Sequence, residues 1–181
     1  MNIISDIYQI NTGDNLLVST ESFLGDAIQE FQKCKWNHSA KFLWLHDKLY
    51  IVEAEKRGEC ITPFEYYTSN PAKYQLCIQK QRITQTPLQV ERWIHYALEK
   101  CGKSTYGYTN LLIAQPVKYL FGAWIGAKSL EKVENRGFIC GQLVAYLDHL
   151  TYGWYPNNEW IPIAPVDLYK SGHYENFIWK P

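Results

Sequence analysis

Apolar residues recur along the chain with two different periods, and these periods predict its strands and helices. Short apolar runs bounded by turn residues are typical of β-strands, whereas apolar positions three and four residues apart are typical of helices. Strands are predicted over residues 15–19, 39–45, 49–54, 74–79 and 176–180. Helices are predicted over residues 22–34, 86–101 and 139–150, with a further helical region over 109–120 that is interrupted near Pro116.

The helix over residues 86–101 has the strongest local signals. Thr86-Pro87-Leu88-Gln89 is a capping box with proline at the first helical position, and Gly102 follows the last periodic residue. One stripe of this helix is predicted to be buried, and it consists of Trp93, Ile94, Ala97, Leu98 and Cys101.

Residues 39–54 have the pattern of a β-hairpin whose turn lies at residues 46–48. Both strands are strongly apolar, so the sheet is predicted to be covered on both faces. No regular alternation of strands and helices appears, which argues against a doubly wound parallel sheet. The pattern therefore predicts one α+β domain over residues 1–181, with a central antiparallel sheet packed by helices.

Composition and charge narrow the function classes. The 181 residues are 46% hydrophobic, which excludes intrinsic disorder. Basic and acidic residues number 18 each, a balance that argues against a general nucleic-acid partner. The longest apolar run, residues 120–127, is far below the ~20 residues of a transmembrane helix. The N-terminus lacks the basic and apolar regions of a secretory signal, so a cytoplasmic location is expected.

The cysteines are odd in number and widely spaced, and no two form a Cys-x-x-Cys pair. Neither a disulfide framework nor a zinc site is therefore expected, and no metal or other cofactor is predicted. Most of these thiols are expected to be buried, and one of them is a candidate nucleophile. The five are Cys34, Cys60, Cys77, Cys101 and Cys140.

Cys140 is the candidate nucleophile because it lies near the start of the predicted helix 139–150. Unpaired backbone N–H groups and the positive end of the helix dipole both stabilise a thiolate at that position. The alternative is that Cys140 is a small core residue.

His38 and Glu53 are the candidate partners of this thiol. A cysteine nucleophile needs an imidazole base, and the base needs an orienting group. His38 begins an apolar strand, and Glu53 lies inside an apolar run where an unpaired carboxylate is costly. If His46 faces Leu49 across a two-residue turn, His38 and Glu53 project to the same face without being directly opposite. The alternatives are a capped or surface histidine and a strand-end glutamate in solvent.

Four short segments carry a resemblance to a known group of proteins: residues 13–17 (GDNLL), 37–40 (NHSA), 52–54 (VEA) and 140–144 (CGQLV). They resemble the circularly permuted papain-like proteins of the YiiX type, which belong with the NlpC-type cell-wall peptidases and the lecithin–retinol acyltransferase group. In the permuted members histidine and glutamate precede the cysteine, as His38 and Glu53 precede Cys140 here. The resemblance covers about residues 13–170 and implies a permuted papain-like (NlpC-type) fold.

Two further site residues follow from the resemblance. The group places a tyrosine ahead of the cysteine, which implies a role for Tyr106, in preference to Tyr108, in positioning the substrate or the oxyanion. The group usually has serine after the nucleophile, where this chain has Gly141; glycine retains the backbone N–H of an oxyanion hole but not the hydroxyl. Residues 163–168 (IAPVDL) resemble the closing segment of the group.

The resemblance implies a cysteine amidase or peptidase with a Cys140–His38–Glu53 triad, acting on cell-wall peptides or other amides. One alternative is a lipid or ester acyl hydrolase or acyltransferase, with residues 120–127 forming an apolar entry. A second alternative is a protein that binds glycans or peptides without turnover, through some of its seven tryptophans. The expected partner is thus a small-molecule, peptide or lipid acyl substrate, and the oligomeric state stays open.

Overall fold

The computed structural model of the chain describes residues 2–103, 106–107, 137–153 and 163–180. The strands in these ranges are β1 (Asn2–Ile4), β2 (Asn15–Thr20), β3 (His38–Leu45), β4 (Lys48–Glu55), β5 (Gly58–Pro63), β6 (Tyr74–Gln81) and β7 (Tyr174–Trp179). The helices are α1 (Phe23–Gln32), α2 (Glu65–Thr68), α3 (Pro87–Lys100), α4 (Cys140–Tyr152) and α5 (Pro165–Lys170), with a 3₁₀ turn at Ile7–Gln9. The predicted helical region 109–120 and the apolar run 120–127 lie outside the described residues.

The strands form one sheet in the order β1-β7-β6-β2-β3-β4-β5. Every neighbouring pair is antiparallel except β1 and β7, which are parallel, so the sheet is mixed and not purely antiparallel as predicted. The predicted α+β class is confirmed. Strands β1 and β5 were not predicted, because β1 has three residues and β5 contains only two apolar residues between a glycine and a proline.

Both faces of the sheet are covered, as the apolar hairpin predicts. On one face, buried side chains of β2, β3, β4 and β6 form a core that includes Leu16, Phe42 and Ile51. On the other face α3 and α4 pack on the sheet, with Trp93 of α3 and Leu147 of α4 fully buried. Each Å² of apolar surface removed from water stabilises the fold by ~25 cal/mol, and this hydrophobic contribution holds α3 and α4 on the sheet.

Helix α3 begins where the capping box predicts. The Thr86 hydroxyl accepts a hydrogen bond from the N–H of Gln89 at 3.3 Å, and the Gln89 side chain accepts one from the N–H of Thr86 at 2.9 Å. The predicted buried stripe is wrong at Leu98, whose exposed fraction is 46%. Leu98 is rotated by about 100° from Ala97 around the helix, which carries it out of the contact with the sheet.

A buried ion pair ties α4 to the sheet. Lys41 of β3 is fully buried, and its Nζ lies 2.8 Å from Oδ1 of Asp148 in α4. The same ammonium donates to the carbonyl of Gly13 and to Oδ1 of Asn15, each at 2.7 Å. The Asp148 carboxylate also accepts from Gln81 of β6 and Tyr174 of β7. These bonds attach the C-terminal half of α4 to four strands, and its N-terminus carries Cys140.

No helix in the described ranges combines the length and the apolar character needed to cross a bilayer.

Candidate functional site

His38 is the first residue of β3, and the preceding residue fixes the chain as it enters the strand. The Asn37 side chain is buried, and its amide donates to the carbonyl of Thr20 at 2.7 Å and accepts from the Thr20 N–H at 3.2 Å. This pair of hydrogen bonds joins the end of β2 to the start of β3, where Val18 faces His38. The imidazole therefore extends from an anchored backbone at one end of the sheet, with 16% of its side chain exposed.

Glu53 reaches His38 from the neighbouring strand β4. In the hairpin Leu45 faces Lys48 across a turn of His46 and Asp47, so the predicted pairing of His46 with Leu49 is wrong by one step. The predicted sheet face of the two residues is nevertheless right. Glu53 faces Ala40, which lies two residues from His38, so the side chains of His38 and Glu53 project to the same face of the sheet. Glu53 Oε2 lies 2.7 Å from Nε2 of His38, and the Glu53 side chain is fully buried.

Tyr67 is a third member of this hydrogen-bond chain, and no sequence pattern pointed to it. Its hydroxyl donates to Glu53 Oε2 at 2.8 Å, and its ring stacks near His38 with 6.5 Å between the ring centroids. Burial and the Glu53 carboxylate raise the pKa of Tyr67, so the hydroxyl remains a proton donor. Tyr67 lies in the short helix α2, whose four residues have no periodicity that could identify an inward face.

Cys140 is the first residue of α4, as predicted, and its side chain is buried. The N–H groups of a first helical turn have no acceptor within the helix, and the dipole there favours negative charge. Burial opposes the thiolate, but a hydrogen bond to His38 and the charge of His38 outweigh it and lower the pKa of Cys140. Bonds from Ser39 act in the same direction.

The pKa of His38 moves in the opposite direction. Burial favours the neutral imidazole, but the hydrogen bonds and negative charges of Cys140 and Glu53 outweigh it and raise the pKa of His38 well above its usual value. Nε2 is bonded to Glu53, so Nδ1 is the ring nitrogen that remains for a second partner. The contacts between Cys140 and His38 lower the pKa of the thiol and raise that of the imidazole, which is the direction that favours a thiolate and imidazolium pair.

We expect Cys140 to be the thiol that iodoacetamide alkylates fastest at pH 6. Its pKa is lowered, whereas burial raises the pKa of Cys77 to about 12 and of Cys101 to about 11. Only the thiolate reacts, so the lowered pKa selects Cys140. Peptide mapping by mass spectrometry after a short exposure measures the labelling of each cysteine. His38→Ala should remove the preference, and faster labelling of any other cysteine in the native protein would contradict the prediction.

Gly141 follows Cys140 in α4 and is enclosed by another segment of the chain. A Cβ atom at this position would overlap the backbone carbonyl of Ile163, within the segment that leads into α5. The glycine that departs from the resembled group's serine is therefore required by this close approach. The N–H that the sequence argument assigned to an oxyanion hole is retained.

Tyr106 and His38 both line a cleft of about 360 Å³ at this end of the sheet. The cleft also contains Tyr66, Tyr67 and Tyr74, which stack edge-on or tilted against one another. Tyr106 packs against the helix-side core as well. The described structure thus brings His38 into contact with Glu53 and near Cys140, and it places Tyr106 in the cleft that His38 lines; Cys140 and Glu53 are not among the residues that line this cleft.

The four other histidines occupy positions away from this group. His46 lies in the β3–β4 turn at the opposite end of β3, and His95 is exposed on α3, 4.0 Å from Glu99. His149 lies in the last turn of α4, and His173 precedes β7. His38 is the histidine that bonds to Glu53 and whose pKa is raised by Cys140 and Glu53.

Comparison with solved structures shows that the fold has a precedent. The chain is similar to the metalloprotein YiiX from Escherichia coli O157:H7, a DUF1105 protein, with 16% sequence identity and a TM-score of 0.58. The superposition covers 93% of this chain and 96% of that chain. No protein-family model and no curated protein matched the sequence. The chain therefore has a YiiX-like fold, and at this identity the likeness concerns the fold alone.

One set of described side chains can be tested as a metal site, since the structural neighbour is a metalloprotein. The ligand atoms of Glu53, Glu55 and Cys60 all lie within 4.8 Å of one another. Glu53 already accepts bonds from His38 and Tyr67, and Glu55 lies 3.8 Å from Arg57. Burial and the Glu53 charge raise the pKa of Cys60, so its thiol holds its proton. A metal ion at these three residues would have to displace the proton of Cys60 and compete with His38 and Tyr67 for Glu53, whose Oε1 has no hydrogen-bond partner among the described residues.

Proposed function

We propose that the protein is a cysteine-nucleophile acyl hydrolase that cleaves amide bonds, with Cys140 as nucleophile, His38 as acid and base, and Glu53 as positioning residue. The observation that carries the proposal is the placement of the three residues: 2.7 Å separates Nε2 of His38 from Oε2 of Glu53, and Cys140, the first residue of α4, is close enough to His38 for the imidazole to lower the pKa of the thiol. A nucleophile bonded to a base that is itself oriented by a third group is the arrangement of catalytic triads.

In the first half of the reaction the Cys140 thiolate attacks the carbonyl carbon of the substrate. The new S–C bond converts the carbonyl oxygen to an oxyanion. His38, positively charged in this state, donates its proton to the leaving nitrogen as the C–N bond breaks. The amine departs, and Cys140 carries the acyl group as a thioester.

In the second half water releases the acyl group. The now neutral His38 takes a proton from a water molecule, which attacks the thioester carbonyl. The S–C bond breaks, the carboxylic acid leaves, and the thiolate and imidazolium are restored. Glu53 stabilises the imidazolium and keeps Nε2 engaged, so that Nδ1 faces the thiol throughout. A different acceptor in place of water would make the same site a transferase.

The oxyanion needs donors near the reacting carbon. The first-turn N–H groups of α4, beginning with that of Cys140, have no acceptor within the helix and supply such donors. Tyr106, which lines the same cleft as His38, is the proposed second donor or a group that positions the substrate. Removing one donor of this kind typically costs ~3 kcal/mol in barrier height.

The substrate class rests on the fold. A YiiX-like fold and the resemblance to NlpC-type enzymes favour cell-wall peptides or other amides, and the same thiolate chemistry also cleaves esters of lipids. The test is to offer the protein peptides from cell walls, acyl amides and lipid esters, and to search for a thioester on the Cys140 peptide by mass spectrometry after acid quench. A mass increase equal to the acyl group on Cys140 supports the proposal. An acyl group on any other residue contradicts it.

Glu53→Gln is expected to slow turnover by ~10²-fold or more, but by less than loss of the thiol does. The Glu53 charge helps to raise the pKa of His38, and His38 in turn lowers the pKa of Cys140. Removing that charge should lower the pKa of His38 and raise that of Cys140, so the thiolate would form only at higher pH. The rate of Cys140 alkylation as a function of pH measures this shift directly.

The matched control for this test is Glu65→Gln, an exposed glutamate of α2. It removes the same charge from the surface and should leave both the pH profile and the turnover unchanged. An unchanged alkylation profile in Glu53→Gln, with the protein folded by circular dichroism, would show that Glu53 does not act through His38.

A further inference from the structure

A second cavity, of about 480 Å³, lies at the same end of the sheet as the cleft that contains His38. Tyr67 and Tyr74 line both spaces, so the cavity and the cleft are neighbours. The walls are largely apolar and aromatic, and the volume is typical of a site for a small organic ligand. The cavity is lined by Lys35, Trp36, Tyr67, Thr68, Pro71, Tyr74, Gln75, Leu76, Ile178, Trp179 and Lys180.

Two tryptophans of this cavity wall have indole N–H groups without an acceptor among the described residues. Trp36 has only 1% of its surface exposed, and its Nε1 and that of Trp179 are both buried. Buried polar groups in folded proteins are usually hydrogen-bonded, so these two donors are exceptions. Because both nitrogens are enclosed, the charges of the wall, and not these donors, indicate the chemistry of a ligand.

The charges around the cavity have a single sign. Among the described residues that line it, Lys35 and Lys180 are basic and none is acidic. Lys35 lies over the ring of Trp36, with 4.4 Å between Nζ and the ring centroid, and this places a cation beside one of the unpaired indoles. A carboxylate fits this wall, because it carries the opposite charge and accepts hydrogen bonds from ammonium groups.

We propose that this cavity is a subsite for an apolar group that carries a carboxylate. The apolar part would contact the aromatic wall, and the carboxylate would be held by Lys35 and Lys180. As a substrate subsite it rests on the proposed function, since Tyr67 connects the cavity to Glu53 and the cleft. The substrate would then bear a free carboxylate in addition to the carbonyl that Cys140 attacks.

A fatty acid and the C-terminal residue of a peptide both combine an apolar group with a carboxylate, and the experiment distinguishes between these two ligands. Octanoate represents a fatty acyl chain, and N-acetyl-phenylalanine represents the terminal residue of a peptide. Octanamide and N-acetyl-phenylalanine amide are their neutral counterparts. Binding is measured by calorimetry and by the fluorescence of the tryptophans, with the Cys140→Ala protein so that no turnover intervenes.

At least one of the carboxylates is expected to bind at least tenfold more tightly than its neutral amide. Lys35→Glu combined with Lys180→Glu should weaken that binding by a further ~10-fold or more and leave the weak binding of the amide unchanged. Lys48→Glu combined with Lys103→Glu, two exposed lysines that do not line the cavity, is the matched double charge reversal and should change neither. Preference for octanoate or for N-acetyl-phenylalanine identifies the acyl chain or the peptide as the source.

Equal binding of acid and amide, equal binding by the Lys35→Glu/Lys180→Glu protein, or binding of neither acid would overturn the subsite. These outcomes are separate from a failure of the proposed function, because the probes bind to a protein without the nucleophile. Carboxylate binding together with an absence of any acyl group on Cys140 in the wild type would retain the ligand cavity and reject the hydrolase.

Discussion

Replacing Cys140 by alanine is expected to lower amide or ester turnover by ~10³-fold or more, and His38→Ala should do the same. The two residues act as one unit, since the imidazole has no proton to exchange without the thiol and the thiol loses its stabilised anion without the imidazole. The double variant should therefore retain about the same residual rate as either single variant. Independent contributions would instead multiply.

The rates are measured first with p-nitrophenyl acetate, which reports acylation by release of nitrophenolate, and then with any amide that the substrate panel identifies. Cys101→Ala is the matched control, because it removes another thiol, at the end of α3, whose pKa is raised to about 11 by burial. It should retain the wild-type rate. Turnover that survives Cys140→Ala would refute the nucleophile.

The alternative of a binding protein has its own signature in this experiment. No turnover of any substrate, together with tight binding of one ligand that Cys140→Ala does not change, would favour binding without catalysis. The lowered pKa of Cys140 would then be a property of the fold that no reaction uses. The labelling at pH 6 would still succeed, so the two measurements answer different questions.

Local signals predicted the fold best where one short segment determines the outcome. The capping box at Thr86 and the glycine after Cys101 each act within one turn, and α3 begins and ends close to them. The prediction that Leu98 is buried was wrong, because its burial depends on how the helix is rotated against the sheet, which no local signal specifies. The predicted hairpin register was wrong by one residue in each strand, because turn geometry, and not apolarity, determines which residues face each other.

In the candidate site, too, the residues that follow from local sequence were predicted and those that depend on contacts between distant segments were not. Parity placed His38 and Glu53 on one face whichever two-residue turn formed, and the position of Cys140 at a helix start is visible in the sequence. Tyr67 and Asn37 were not predicted to support the site, because each acts through a contact across the sheet or between separate segments. Contacts of this kind produce no periodic pattern of apolar and polar residues from which they could be predicted.

Lys41 is a buried, paired lysine to which the sequence pattern assigned no role. It lies in an apolar strand, and the pattern alone gives no reason for a charge there. The structure shows that its three donors are all used, by Gly13, Asn15 and Asp148, with Asp148 in a helix more than 100 residues later. The charge is retained because the partners that compensate it come from distant parts of the chain.

Lys41→Met is accordingly expected to lower the free energy of unfolding by ~3–5 kcal/mol, measured by urea denaturation. Methionine matches the length of the side chain but leaves the buried Asp148 carboxylate without its cation. Gln81 and Tyr174 still donate to that carboxylate, and they are too few to replace the charge. Lys48→Met, an exposed lysine at the start of β4, is the control and should change stability by less than ~0.5 kcal/mol.

The double variant Lys41→Met/Asp148→Leu decides whether the pair or the charge is responsible. If an unpaired buried carboxylate causes the loss, removing it as well should restore a large part of the stability, so the two effects would be strongly non-additive. Strict additivity would mean that each residue contributes through packing alone. The folded fraction of Lys41→Met should still label at Cys140 first at pH 6, because Leu143 and Leu147 still pack α4 on the sheet, and His38 and Glu53 are held by β3 and β4.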